Sequence, residues 1–193
     1  AAALGWYERS VALCKALDDK AGLATTFNNI GQVHQAQGDY VAALGWYKKS
    51  VALCKALGIK TALATAHNNI ATIYHLRGDY VAALEWYKKN AEVFEMLGDK
   101  ARFAGTYNNI AGIHDTRGDS AAALEWYAKS VALCEAVGDK SVLATTYNNI
   151  GLIHQARRNY AAALEWYAKS VALCETSGNK AVLAATCNNI AGI

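Results

Sequence analysis

Residues 100–139 read KARFAGTYNNIAGIHDTRGDSAAALEWYAKSVALCEAVGD, and the same stretch recurs along the chain with scattered differences and no insertion. Trp-Tyr stands at 6–7, 46–47, 86–87, 126–127 and 166–167, and Asn-Asn-Ile at 28–30, 68–70, 108–110, 148–150 and 188–190. Both sets step by 40 residues. Self-similarity at a fixed period marks one supersecondary element per unit, each stacked on the next.

Each unit divides at Gly-Asp. In Gly38-Asp39, Gly78-Asp79 and Gly118-Asp119 the glycine suits the left-handed residue that ends a helix, and the aspartate accepts the backbone N–H groups that begin the next. A second stop-start lies at Gly98-Asp99, Gly138-Asp139 and Gly178-Asn179, with Asp18-Asp19 and Gly58-Ile59 as imperfect copies. Helices alternate accordingly. Helix A is expected at 20–37, 60–77, 100–117, 140–157 and 180–193, and helix B at 1–17, 40–57, 80–97, 120–137 and 160–177. The chain is thus expected to be a single solenoid, 1–193, with a lone B helix at 1–17, AB pairs at 20–57, 60–97, 100–137 and 140–177, and a lone A helix at 180–193. Beginning without Met and within a repeat, it reads as a fragment of a longer protein.

At about 100° per residue, Leu23, Ala24, Phe27, Ile30, Gly31 and His34 of the first A helix share a dry face. Thr25, Asn28, Asn29, Gln32, Gln35 and Ala36 share a wet one. In the B helix, Ala43, Leu44, Tyr47, Val51 and Cys54 form the apolar stripe, with Ser50 small enough for a neighbouring helix to approach.

The order aromatic (Phe27), Ile30, small (Gly31), His34, Gly38-Asp39-Tyr40, Ala43, Tyr47 and small (Ser50) resembles the tetratricopeptide repeat signature, and it runs through the whole chain. It departs from that signature in lacking proline and in being longer than the common repeat of about 34 residues. The longer repeat is similar to those of Pins-type polarity adaptors, kinesin light chains and bacterial regulators carrying tetratricopeptide arrays. Asn-Asn-Ile-Ala also resembles the Asn-Asn-Leu-Ala of kinesin light chain repeats. The resemblance implies an all-α fold, a right-handed superhelical α-solenoid of antiparallel helix pairs, acting as a binding scaffold and not an enzyme.

Asparagine costs about 0.5 kcal/mol against alanine inside a helix, yet two stand in the middle of every A helix. Two readings of these pairs stay open. In one they bond neighbouring A helices and set the twist, the reading preferred for Asn28, Asn68, Asn108, Asn148 and Asn188. In the other they meet a ligand, the reading preferred for Asn29, Asn69, Asn109, Asn149 and Asn189. Those five lie farthest from the core stripe, on the face that A helices of such arrays turn to a concave groove. A carboxamide donates and accepts, so it bonds a peptide group whatever that residue's side chain. Adjacent A helices about 10 Å apart match three residues of extended chain at about 3.3 Å each. The resemblance points the same way, since groove asparagines at the matching position grip peptide backbones in several relatives. One turn on, the units diverge: Gln32, Thr72, Gly112 and Leu152, then Gln35, His75, Asp115 and Gln155. These positions carry either specificity or drift. No pair of Lys or Arg flanks the asparagines, which favours a charge-tolerant extended peptide over an acidic C-terminal tail.

Other chemistry is thinly represented. A formal charge of only +3, with both signs interleaved, argues against nucleic acid and membrane partners. No apolar run reaches the roughly 18–20 residues of a membrane span. Cys14, Cys54, Cys134 and Cys174 lie on successive B helices about 10 Å apart, too far for a disulfide or shared metal, and read as small buried hydrophobes. Cys187 reads the same way, and five free thiols suit a reducing cytoplasm. His34, His114 and His154 share a slot with Tyr74, which suits packed rings. His114 and Asp115 point about 100° apart and form no dyad. No phosphate loop, zinc-binding His pair or nucleophile elbow is present, so neither catalytic residue, metal nor cofactor is expected. The Trp row reads as packing between successive B helices, or else as a convex aromatic strip. Arg157-Arg158-Asn159 replaces one Gly-Asp turn and forces Arg158 into the left-handed region.

The expected function is a protein-interaction scaffold that holds an extended peptide or protein segment. The alternatives are a spacer or self-assembling module, stacking head-to-tail through its terminal half-repeats, and the sensor arm of a larger signalling protein.

Overall fold

The computed structural model describes residues 2–193, and ten helices make up nearly all of them. They are α1 (Ala2–Ala16), α2 (Lys20–Ala36), α3 (Tyr40–Leu57), α4 (Lys60–Leu76), α5 (Tyr80–Leu97), α6 (Lys100–Thr116), α7 (Ser120–Val137), α8 (Lys140–Ala156), α9 (Tyr160–Ser177) and α10 (Lys180–Ala191). Their contacts divide the chain into two compact units, Ala1–Leu97 and Gly98–Ile193.

The turns behave as their sequence requires. Gly38 takes φ 78°, and the next residue, Asp39, caps α3 by accepting the Ala42 N–H at 3.0 Å. Asp79, Asp119 and Asp99 accept from Ala82, Ala122 and Arg102 in the same way, each at 3.1 Å. Ile59 gives α4 no side-chain cap. Asp18 at φ 50° and Arg158 at φ 57° hold the left-handed position without glycine's freedom, which costs about 1 kcal/mol each.

In the first unit, α2 packs on α3 and α4 on α5, while α3 meets α4 and α2 meets α4. Ala43, Leu44, Tyr47 and Val51 of α3 close with Ala66, Ile70 and Ile73 of α4 into one core cluster, flanked by Tyr40, Leu63, Tyr74 and Trp86. The second unit repeats this plan. There α6 packs on α7 and α8 on α9, with α6, α8 and α10 in sequential contact. Its core joins Ala111, Ala123 and Tyr127 to Ile150 and Ile153, with Trp126, Tyr147 and Trp166 packed against them.

The tryptophans tie the layers together. Trp46, Trp86, Trp126 and Trp166 lie against Phe27, His67, Tyr107 and Tyr147 at 5.4, 5.3, 5.1 and 5.3 Å. Trp86 and Trp166 also reach the core clusters containing the preceding B helix. Lys49, Lys89, Lys129 and Lys169 lie over the tryptophans of their own helices at 3.9 to 4.4 Å. Trp6 is 68% exposed.

Cys54, Cys134 and Cys174 are buried and Cys14 is half-buried, but Cys187 is exposed, against the expectation of a packed thiol. Its slot is closed elsewhere by the tryptophan of the following B helix, and no such helix meets Cys187 among the described residues. Burial pushes the Cys134 thiol up to about 11, which keeps it protonated and unreactive at neutral pH.

Candidate functional site

The asparagine pairs form hydrogen-bonded rows along the A helices of each unit. In the first unit Asn69 Nδ2 donates to Asn28 Oδ1 at 3.0 Å. In the second, Asn149 Nδ2 donates to Asn108 Oδ1 at 3.4 Å and Asn189 Nδ2 to Asn148 Oδ1 at 2.9 Å. The first asparagine of a pair thus accepts from the second asparagine of the next helix.

This arrangement corrects the wet-side placement of Asn28, which is buried, as is Asn148. Both sit in the seam between neighbouring A helices, where the approach of the next helix removes water from a position that would face solvent on an isolated one.

A second polar chain, not anticipated from the sequence, supports the rows from beneath. Ser50, Ser130 and Ser170 are fully buried, and each donates its hydroxyl to an A-helix carbonyl, Ala24, Ala104 and Ala144, at 2.8, 2.9 and 2.9 Å. Ser130 and Ser170 also approach Thr146 and Thr186 at 3.4 and 3.2 Å. Those threonines donate to Asn108 and Asn148 at 3.2 and 3.0 Å. Thr26, Thr106, Thr146 and Thr186 occupy one slot of the 40-residue repeat, and that recurrence is legible in the sequence. Ala66 takes that slot in α4 and leaves Asn28 with Asn69 alone.

The five groove candidates Asn29, Asn69, Asn109, Asn149 and Asn189 are all half-buried. Their bonding differs. Asn29 makes no side-chain hydrogen bond among the described residues, and Asn69 and Asn189 spend one amide hydrogen on the row and leave the carboxamide oxygen unclaimed.

The variable positions are also unlike one another. Gln32 is exposed. Gln35 and Gln155 accept the hydroxyl protons of Tyr47 and Tyr167 at 2.7 and 2.6 Å. Thr72 Oγ1 donates to the Asn68 carbonyl at 2.9 Å and lies 3.2 Å from Tyr87 Oη. His75 packs its ring on Tyr80 at 5.9 Å. Leu152 is 39% exposed, and Asp115 is half-buried.

A glycine decides where the tyrosines point. A Cβ on Gly31 would lie 2.5 Å from Tyr47 Cε1, and one on Gly151 would lie 2.4 Å from Tyr167 Cε1. With glycine there, the ring leans over the A helix and its hydroxyl reaches the glutamine four residues on. Ala71 and Ala111 hold the equivalent positions in the other two repeats. Their methyl groups exclude that pose, so Tyr87 turns to Thr72 and Tyr127 lies within reach of the Asn149 carboxamide. Burial raises the Tyr47 phenol to about 12 and raises Tyr127 further, with the Asp115 charge adding to the latter. Both remain protonated donors.

His34 and His114 lie 3.5 and 3.8 Å from the capping carboxylates of Asp39 and Asp119. No group of three or more His, Cys, Asp or Glu able to hold a metal ion occurs among the described residues, and no helix there is long and apolar enough to cross a membrane. His67 stands in the slot of Phe27, Tyr107 and Tyr147, the repeat position that marks it in the sequence. It is 3% exposed, neither ring nitrogen has a hydrogen-bond partner, and burial pushes its pKa down to about 4.

Stacked antiparallel helix hairpins with a patterned polar face define a helical repeat scaffold. The tetratricopeptide repeat family profiles match residues 1–56 and 62–136, and again 143–177. The chain therefore belongs to the tetratricopeptide repeat family. No curated protein matches it. Among solved structures it is similar to BtubC (BKLC) from P. vanneervenii, at 18% identity and a TM-score of 0.77, over 97% of this chain and 82% of that one. It is also similar to aspartyl phosphate phosphatase F from Bacillus subtilis, at 16% identity and 0.87, over 95% and 48%. A Rap protein complexed with Competence and Sporulation Factor matches at 13% identity and 0.79, over 93% and 50%. The chain spans about half the length of the last two. These likenesses carry the fold, an all-α helical repeat solenoid. The family is a protein-interaction module, typically non-catalytic, and the chain is a protein-interaction scaffold in that general sense.

Proposed function

We propose that the A-helix face of each unit binds an extended peptide or protein segment by its backbone. The observation that carries this reading is the unspent bonding capacity of the second asparagines: Asn29 wholly uncommitted, Asn69 and Asn189 with a carboxamide oxygen unclaimed. The row bonds fix Asn69 and Asn189 before any ligand arrives, which lowers the ordering cost of binding there. Each carboxamide then offers an acceptor, and at Asn29 donors as well, to a peptide group. The fold that the chain shares with a Rap protein solved with Competence and Sporulation Factor is compatible with this reading.

The test separates capture from scaffolding. Asn29→Ala removes a groove amide and no internal bond. Asn189→Ala and Asn148→Ala break the same row bond from its two ends, but only the first removes a carboxamide from the exposed face. Short fluorescein-labelled peptides of Gly, Ser, Ala and Gln are titrated by anisotropy against the native chain and each variant. Binding lost in N29A and N189A but retained in N148A is expected. Equal losses in N148A and N189A, with N29A unchanged, would mean that the rows only hold helices together.

A further inference from the structure

We propose that Asp115 makes the second unit selective for a segment carrying a lysine or arginine, by receiving that cationic side chain on the A-helix face. This rests on the reading of that face as a peptide-binding surface and gives the bound segment a chemistry.

Three observations converge on the site. The first is the tyrosine switch. In the repeats with Gly31 and Gly151, the side chain in the Asp115 slot is a glutamine already bonded to a tyrosine hydroxyl. In the third repeat Ala111 turns Tyr127 toward Asn149, and the shorter Asp115 side chain is left without a hydrogen bond or ion pair among the described residues.

The second observation is space. Gly112 stands one turn before Asp115, and a Cβ there would meet only Tyr127 Oη, at 3.9 Å. Where the neighbouring repeats carry Thr72 or Leu152, the third has no side chain one turn before the carboxylate.

The third observation is charge. The positions flanking the asparagines are Gln32, Thr72, Gly112, Leu152, Gln35, His75 and Gln155, and Asp115 is the acidic one among them. The carboxylate is half-buried, and burial raises its pKa, so it is under-solvated in the free chain. Arg157, exposed at the end of α8, acts against that rise without closing an ion pair. An under-solvated carboxylate with a free approach gains most from an ammonium or guanidinium group that donates hydrogen bonds directly. Leu152, exposed on the adjacent helix α8, offers an apolar surface for the methylene stem of such a side chain.

Peptides of Gly, Ser and Ala with a single Lys, Gln or Glu walked along the sequence are titrated against the whole native chain. The best Lys peptide is expected to bind about tenfold tighter than its Gln counterpart, and the Glu peptide weaker than both. The Lys advantage, read as the ratio of Lys-peptide to Gln-peptide affinity within each variant, should vanish in Asp115→Asn and persist in Asp115→Glu, with helicity intact by circular dichroism. It should also shrink as salt is raised. A Lys advantage that survives D115N, or none in the native chain while the Gln peptide binds, would overturn the proposal and leave backbone capture standing. Absence of binding by every peptide would overturn both.

Discussion

Replacing His67 with phenylalanine should stabilise the chain, and more so in acid. His67 fills the aromatic slot against Trp86, with both ring nitrogens buried and unpartnered. Desolvation is the main cause of its lowered pKa, and the charges of Lys55 and Lys89 lower it further, while the Lys89 backbone, near the ring but outside hydrogen-bonding geometry, raises it partway back. In the unfolded chain the imidazole titrates at its ordinary 6.5, and in the fold at about 4. Between these values the unfolded state holds a proton that the folded state does not, so stability falls as pH drops from 6.5 toward 4. From pH 7.5 to pH 5.0 the loss is about 2 kcal/mol, and about 3 kcal/mol when the window is fully crossed. H67F abolishes that loss. At pH 7.5 it also relieves the unsatisfied nitrogens, a gain of about 1 kcal/mol. Urea unfolding followed by circular dichroism at both pH values, on the native chain and H67F, provides the double difference in which every other titrating group cancels. Equal acid losses in the two proteins would mean that His67 is solvated or partnered in the fold and is not the source of the acid sensitivity.

The glycines of the A helices should respond in opposite directions. Gly151→Ala brings a methyl group into the Tyr167 ring and should cost about 1–3 kcal/mol, with the ring expelled from Gln155. Gly112→Ala meets only the Tyr127 hydroxyl, at an ordinary contact distance of 3.9 Å, and should gain about 0.5–1 kcal/mol of helix stability. Urea midpoints that move the same way in both would contradict the contact between Gly151 and the Tyr167 ring. Arg158→Gly relieves a left-handed arginine and should add about 1 kcal/mol, measured by the same unfolding curves. A loss there would mean that the Arg158 side chain contributes more than its backbone strain costs.

The repeat, the helix type and the turns were legible in the sequence because they depend on local chemistry. Gly38-Asp39 ends one helix and caps the next through bonds within a few residues, and no distant group is needed. Arg158's positive φ was legible for the same reason, since a turn of fixed length admits only one backbone path.

The polar face was legible only in part. Periodicity gives the angle of a side chain about its own helix axis, but not which neighbour covers that angle. Asn28 and Asn29 are adjacent in sequence, yet the first is closed in a seam and the second remains uncommitted. His67 and Tyr107 occupy the same slot, but only the packed structure reveals that His67 has no partner for its nitrogens. The paths of Tyr47 and Tyr127 diverge because of one methyl group on a facing helix, Gly31 against Ala111. Local chemistry along the chain therefore sets the helical repeat and the row of asparagines. Tertiary structure decided which of their polar groups are consumed between helices and which remain available, because that depends on close approach between segments some 40 residues apart.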